Sequence, residues 1–83
     1  NFTPPAVLIH LMTAPISIEL NGLAATVDAG STLADLLIRE GLIERRIAVE
    51  YNGEIVPRSA YGNIRLASGD RLEVVHAIGG GAL

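Results

Sequence analysis

The chain has 83 residues, enough for one small hydrophobic core and not for an enzyme carrying its own deep cleft. Its 49% hydrophobic content and mean hydropathy of +0.42 argue for a packed fold, and the absence of cysteine excludes disulfides, zinc–thiolate sites, iron–sulfur clusters and thiol nucleophiles. A net charge of -3 disfavours nucleic acid and anionic membranes as partners, and so small a domain without staples suits a reducing cytoplasm.

Residues 1–15 read as an N-terminal extension. Asn1–Leu11 is apolar, holds Pro4 and Pro5, and lacks the basic stretch of a signal peptide; its run Ala6–Leu11 is too short to cross a bilayer. Met12-Thr13-Ala14-Pro15 looks like a natural start, so residues 1–11 are expected to lie outside the fold or to have been appended. A strand or loop packed on the domain is the alternative.

Ile16–Leu20 alternates apolar and polar side chains and predicts a half-buried strand. Asn21-Gly22, two residues that tolerate positive φ, predicts a tight hairpin turn into a second strand, Leu23–Val27. Thr32 stands before Leu33, Leu36 and Leu37 at helical spacing, with Asp35 placed to reach back to the cap nitrogen. A helix over 33–40 follows, ended by Gly41, with Leu42 and Ile43 closing the same core. Ile47–Tyr51 is a third strand, Asn52-Gly53 a second turn, and Glu54–Val56 a fourth strand that Pro57 ends because it has no N–H for the ladder. Ser59–Leu66 reads as a loop or short helical turn, and Arg71–Ile78 as the last strand, with Leu72 and Val74 on one face and Glu73 and Val75 on the other. The order β-β-α-β-β-β predicts an α+β, β-grasp (ubiquitin-like) roll: a mixed sheet of four to five strands with one main helix across it, spanning residues 16–78.

The last residues, Gly79-Gly80-Gly81-Ala82-Leu83, change character. A phosphate-cradling loop needs a following helix and usually a lysine; only two residues follow, and all six basic residues are arginine. Two readings of 79–83 stay open on composition: a frayed tail, or a flexible stalk that presents a carboxylate to another protein's active site, for which residues without Cβ are suited. His10 and His76 are too far apart in sequence to form a catalytic or metal pair. The carboxylates, Asp70 among them, show no paired spacing for acid–base work, and most are expected on solvated surface. Ser31, Ser59 and Ser68 lack a neighbouring base or an elbow motif. With only Phe2, Tyr51 and Tyr61 as aromatics, there is no platform for base stacking.

Two long stretches, Val49-Glu50-Tyr51-Asn52-Gly53-Glu54-Ile55-Val56-Pro57-Arg58 and Gly69-Asp70-Arg71-Leu72-Glu73-Val74-Val75-His76-Ala77-Ile78-Gly79-Gly80-Gly81, resemble the ThiS family of thiamin-biosynthesis sulfur carriers. Ile18–Gly22 and Ser31–Leu37 fit the same pattern, so the resemblance covers about Ile16–Gly81. It implies a carrier and not an enzyme. In that family the terminal glycine carboxylate is adenylated with ATP and magnesium by an E1-like partner of the ThiF type, and a persulfide relay turns it into a thiocarboxylate. Thiazole synthase, ThiG, then takes the sulfur. No cofactor is bound by the carrier itself. Gly80 and Gly81 match the family's terminal pair, which makes Gly81, with Gly80 as the alternative, the residue to be activated, on the tail Gly79–Gly81.

Relatives usually end at those glycines, whereas Ala82-Leu83 follow here. While they remain, the Gly81 carbonyl is an amide, so a protease is expected to cut after Gly81. The exposed sheet face near the last strand is expected to dock the partner, with apolar residues ringed by arginine; Arg58, Arg71, His76 and Ile78 are the candidate contacts, against a reading as plain solvated surface. Alternatives from neighbouring classes are the small thiocarboxylate subunit of molybdopterin synthase, a carrier for cysteine or a specialised metabolite, and a ubiquitin-like binding module with an inert tail.

Overall fold

The computed structural model describes residues 14–77, together with Thr3, Pro5 and Ala6. Expectations for the rest of 1–15 and for Ile78–Leu83 lie outside the described residues.

The strands form where the alternation predicts: β1 (Ile16–Leu20), β2 (Leu23–Val27), β3 (Ile47–Tyr51), β4 (Glu54–Val56) and β5 (Arg71–His76). The helix α1 spans Leu33–Arg39. Segment 58–63, between β4 and β5, coils as a 3-10 helix, Arg58–Asn63. The strands lie in one sheet in the order β2-β1-β5-β3-β4. β1–β2, β3–β4 and β3–β5 pair antiparallel, while β1–β5 is parallel and short, joining Glu19 to Arg71 and Leu20 to Leu72. This is the predicted mixed β-grasp sheet.

Both Asn-Gly turns carry positive φ at each residue, 52° and 83° at Asn21-Gly22 and 50° and 90° at Asn52-Gly53. That is what a two-residue hairpin connection needs if its twist is to match the strands. Helix α1 opens with a complete capping box: the Asp35 N–H donates to Thr32 Oγ1 at 3.1 Å, and the Thr32 N–H donates to Asp35 Oδ2 at 3.0 Å. Its start is tied to the segment before β5 by Leu33 N–H to Ile64 C=O and Leu66 N–H to Ser31 C=O.

The core lies between α1 and one sheet face. Leu33, Leu36 and Leu37 from the helix meet Ile18, Val27, Val49, Val56, Leu72 and Val74 from the strands, with Tyr61 and Leu66 closing one side. Leu42 and Ile43 pack against this cluster while partly exposed. Each fully buried leucine contributes about 1.5–3 kcal/mol, and together they fix the side of the sheet that carries the helix. Among the described residues the opposite face stays exposed.

Candidate functional site

β5 ends one residue before the limit of the described chain and leads directly into 78–81, so whatever holds β5 also holds the root of the glycine run. Three asparagine and aspartate side chains do much of this. Asn21 donates its N–H to Leu72 C=O at 2.8 Å and accepts the Val74 N–H on Oδ1 at 2.8 Å. Asn52 accepts the Arg71 N–H on Oδ1 at 2.8 Å and donates its own N–H to Arg71 C=O at 2.8 Å. Both residues were legible as turn formers; their grip on β5 was not, because the strand order that brings them there is not written in any local pattern.

Asp70 sits just before β5 and corrects the expectation of a solvated carboxylate, being only 8% exposed. Its Oδ2 accepts the Tyr51 hydroxyl at 2.7 Å and the Ala67 N–H at 2.8 Å, and its Oδ1 accepts Asn52 Nδ2 at 3.2 Å. Burial pushes its pKa up, but the Ala67 N–H, the Tyr51 hydroxyl and the Asn52 amide outweigh that and hold the carboxyl below its usual range. Tyr51 moves the other way: its hydrogen bond to Asp70, then burial, then the Asp70 charge raise its pKa. The cluster locks the 67–70 turn to the β3–β4 hairpin. Its hydrogen bonds all run within the chain, and its role is structural.

The described candidate contacts, Arg58, Arg71 and His76, do not share one surface. Arg71 lies on the open face, 3.9 Å from Glu19 and well exposed, where an ion pair adds little to stability. His76 is exposed on the face that carries Leu72 and Val74, just past the core. Arg58 is committed elsewhere: Nη1 donates to Ile43 C=O at 2.6 Å, Nη2 donates to Arg45 C=O at 2.7 Å, and the guanidinium stands 5.9 Å from the centre of the Tyr61 ring. The next carbonyl along, Arg46 C=O, accepts the Ala77 N–H at 2.9 Å. Arg58 is thus a clamp on the 43–46 loop, and through it on the tail root. Arg58→Ala is expected to cost about 1–2 kcal/mol in chemical denaturation and to speed amide hydrogen exchange at Ala77. Ile78 and Gly79–Gly81 lie outside the described residues.

On the open face Ile55 and Val75 are exposed at 67% and 59%. Val75 is paired with Ala48, and Glu50 stands directly opposite Glu73 and beside Ile55. Charges of both signs share this face with Ile55 and Val75: Glu50 and Glu73 are acidic, and Arg71, further along β5, is basic. Like charges directly opposite on paired strands disfavour the free sheet.

A cleft of about 360 Å³ between β2 and α1, lined by Pro15, Thr26, Asp28, Ser31 and Asp35 among others, lies at the other end of the sheet from the tail root. Among the described residues no group of three His, Asp or Glu side chains is placed to hold a metal ion, and no helix is long and apolar enough to cross a membrane.

Residues 16–81 match the ThiS family. The chain belongs to the ThiS family. The ThiS crystal structure from Geobacter metallireducens superposes with a TM-score of 0.69 at 28% identity, covering 78% of this chain and 99% of that one. The sulfur carrier protein ThiS of Bacillus subtilis is 38% identical over 50 residues, 60% of this chain and 76% of that protein. Thiazole synthases from Magnetococcus marinus and Paramagnetospirillum magneticum are 44% identical over 66 residues and 40% over 67, covering 80% and 81% of this chain. The chain spans about a fifth of the length of those two proteins. The ThiS-family match runs through Gly79, Gly80 and Gly81 and stops there, leaving Ala82-Leu83 outside it.

Proposed function

We propose that this ThiS-family chain carries sulfur as a thiocarboxylate on Gly81. An E1-like adenylyltransferase of the ThiF type, which holds ATP and its magnesium, joins the Gly81 carboxylate to AMP and releases pyrophosphate. The terminal sulfur of a persulfide donor attacks the acyl carbon and expels AMP. Thiol cleavage of the resulting S–S bond leaves the thiocarboxylate, and a thiazole synthase of the ThiG type accepts its sulfur. A carboxylate is a poor electrophile and an acyl adenylate a good one, so the chemistry lies in the partner and the carrier supplies docking and reach.

The observation that carries this reading is the family match across residues 16–81, which ends on Gly81 rather than Gly80. The root geometry agrees with it. Ala77 is bonded to Arg46, so reach begins at Ile78, and four extended residues span about 14 Å. That regions like this chain form part of two proteins named thiazole synthase supports a thiazole synthase as the acceptor.

With any residue attached beyond Gly81, its carbonyl is an amide without a carboxylate oxygen to offer, so cleavage after Gly81 precedes adenylation. Chain ending at Gly81 and chain ending at Leu83 are each to be incubated with ATP and a ThiF-type enzyme and read by pyrophosphate release and intact mass. The Gly81-ending form gains AMP and the longer form does not. Adenylation of the longer form overturns the cleavage step; failure of both, and of a Gly80-ending form, overturns the carrier reading.

A further inference from the structure

We propose that the edge of β5 at Val74 and His76 is a strand-addition site, along which the enzyme that activates the tail lays an extended segment of its own backbone. This rests on the carrier reading above and adds how the partner grips the root of the tail.

The register decides which way the backbone groups point. Asn52 N–H meets Arg71 C=O at 2.8 Å and Ala77 N–H meets Arg46 C=O at 2.9 Å, at the two ends of the β3–β5 pairing. The polar groups of Arg71, Glu73, Val75 and Ala77 therefore face β3, and those of Leu72, Val74 and His76 face away from it, toward β1. On that side β1 pairs only as far as Leu20 with Leu72, because the chain turns back at Asn21-Gly22. Asn21 takes the next two groups, Leu72 C=O with its N–H and Val74 N–H with its Oδ1. Beyond it, Val74 C=O, His76 N–H and His76 C=O have no hydrogen-bond partner among the described residues.

Nothing described covers this stretch. A Cβ added at Gly22 meets no atom within 4 Å, and Leu23 beside it is 73% exposed. The outer edges of the sheet are blunted by comparison. On β2 the outward Thr26 C=O accepts Arg39 Nη1 at 2.6 Å, and β4 is three residues long and followed by Pro57.

The location identifies the occupant. The open groups lie at the last residues before the tail, so a channel that takes Gly81 to a reaction centre must also enclose or abut them. Water stripped from them there has to be replaced, since buried backbone groups are almost always paired. Alternating C=O, N–H and C=O at strand spacing are matched together by one extended backbone, as in other strand-addition contacts.

The test uses chain ending at Gly81, ATP and a ThiF-type enzyme, with adenylation kinetics as readout. His76→Pro removes the outward N–H and places the ring on the edge, yet breaks no ladder bond to β3; Val75 is already in the extended conformation that precedes proline. His76→Ala is the reference for loss of the imidazole. His76→Pro is expected to lower kcat/KM by about tenfold relative to His76→Ala, with an unchanged circular dichroism spectrum. Equal values for the two variants overturn the proposal. In unsubstituted chain the His76 amide exchanges freely and becomes protected in the enzyme complex; unchanged exchange overturns it independently of how the proline variant folds. Protection that appears at high concentration without the enzyme, with a dimer in ultracentrifugation, assigns the edge to a second copy and also overturns it. Absence of adenylation of unsubstituted chain overturns the carrier reading itself, and is distinguishable from all of these.

Discussion

Replacing Asp70 with alanine is expected to lower the unfolding free energy by about 3 kcal/mol in urea denaturation. The substitution leaves three donors facing a small void: the Tyr51 hydroxyl, the Ala67 N–H and the Asn52 amide. At about 0.05–0.15 kcal/mol per residue a chain of this size has roughly 4–12 kcal/mol in total, so the loss is a large share. Acid removes the same contribution. The folded carboxyl titrates below the unfolded value of about 3.9, so the stabilisation is complete above that pH and is lost as pH falls through the lowered folded pKa. The difference between unsubstituted and Asp70→Ala protein should therefore narrow in acid. At the alkaline end the sign reverses: Tyr51 holds its proton more tightly when folded, so its share persists to about pH 10 and is lost as pH rises through the raised value. A gap between the two proteins that stays constant from neutral pH to below 3 would contradict this.

Leu37→Ala is expected to cost about 3–4 kcal/mol and to lower the Tm by ~15 °C. Leu37 is completely buried, on the helix face that the strands of both hairpins meet. A cavity there loosens the contact of α1 with the whole sheet. Leu23→Ala, at a side chain 73% exposed on the edge strand, is the comparison and should stay within about 0.5 kcal/mol. Equal effects at the two positions would mean that the packing described here is not what stabilises the fold.

Most of the fold was legible because its local rules agree. Period-two alternation, two Asn-Gly turns, the Thr32–Asp35 cap and the spacing of Leu33, Leu36 and Leu37 each specify their own segment, and β1 to β4 begin and end where those rules place them. The last strand is read as ending at Ile78 and is observed to end at His76, since Ala77 bonds to a loop carbonyl rather than within a strand pair. Non-local chemistry was not legible. Asp70 reads like any turn carboxylate until the sheet brings Tyr51 and Asn52 against it, and Arg58 reads like a surface cation until the 43–46 loop lies beneath it. Tyr51 and Asn52 lie 19 and 18 residues from Asp70, and Ile43 and Arg45 lie 15 and 13 from Arg58, beyond any spacing rule.

The two-residue parallel seam between β1 and β5 has a mechanical meaning. Ladder hydrogen bonds lie across the strand direction. A pull drawn along β5 loads the seam and the long β3 pairing all at once in shear rather than peeling them one by one. Asn21 and Asn52 act as rivets on either flank of the loaded strand. Tension along β5 is thus shared by the whole sheet rather than borne by one bond at a time.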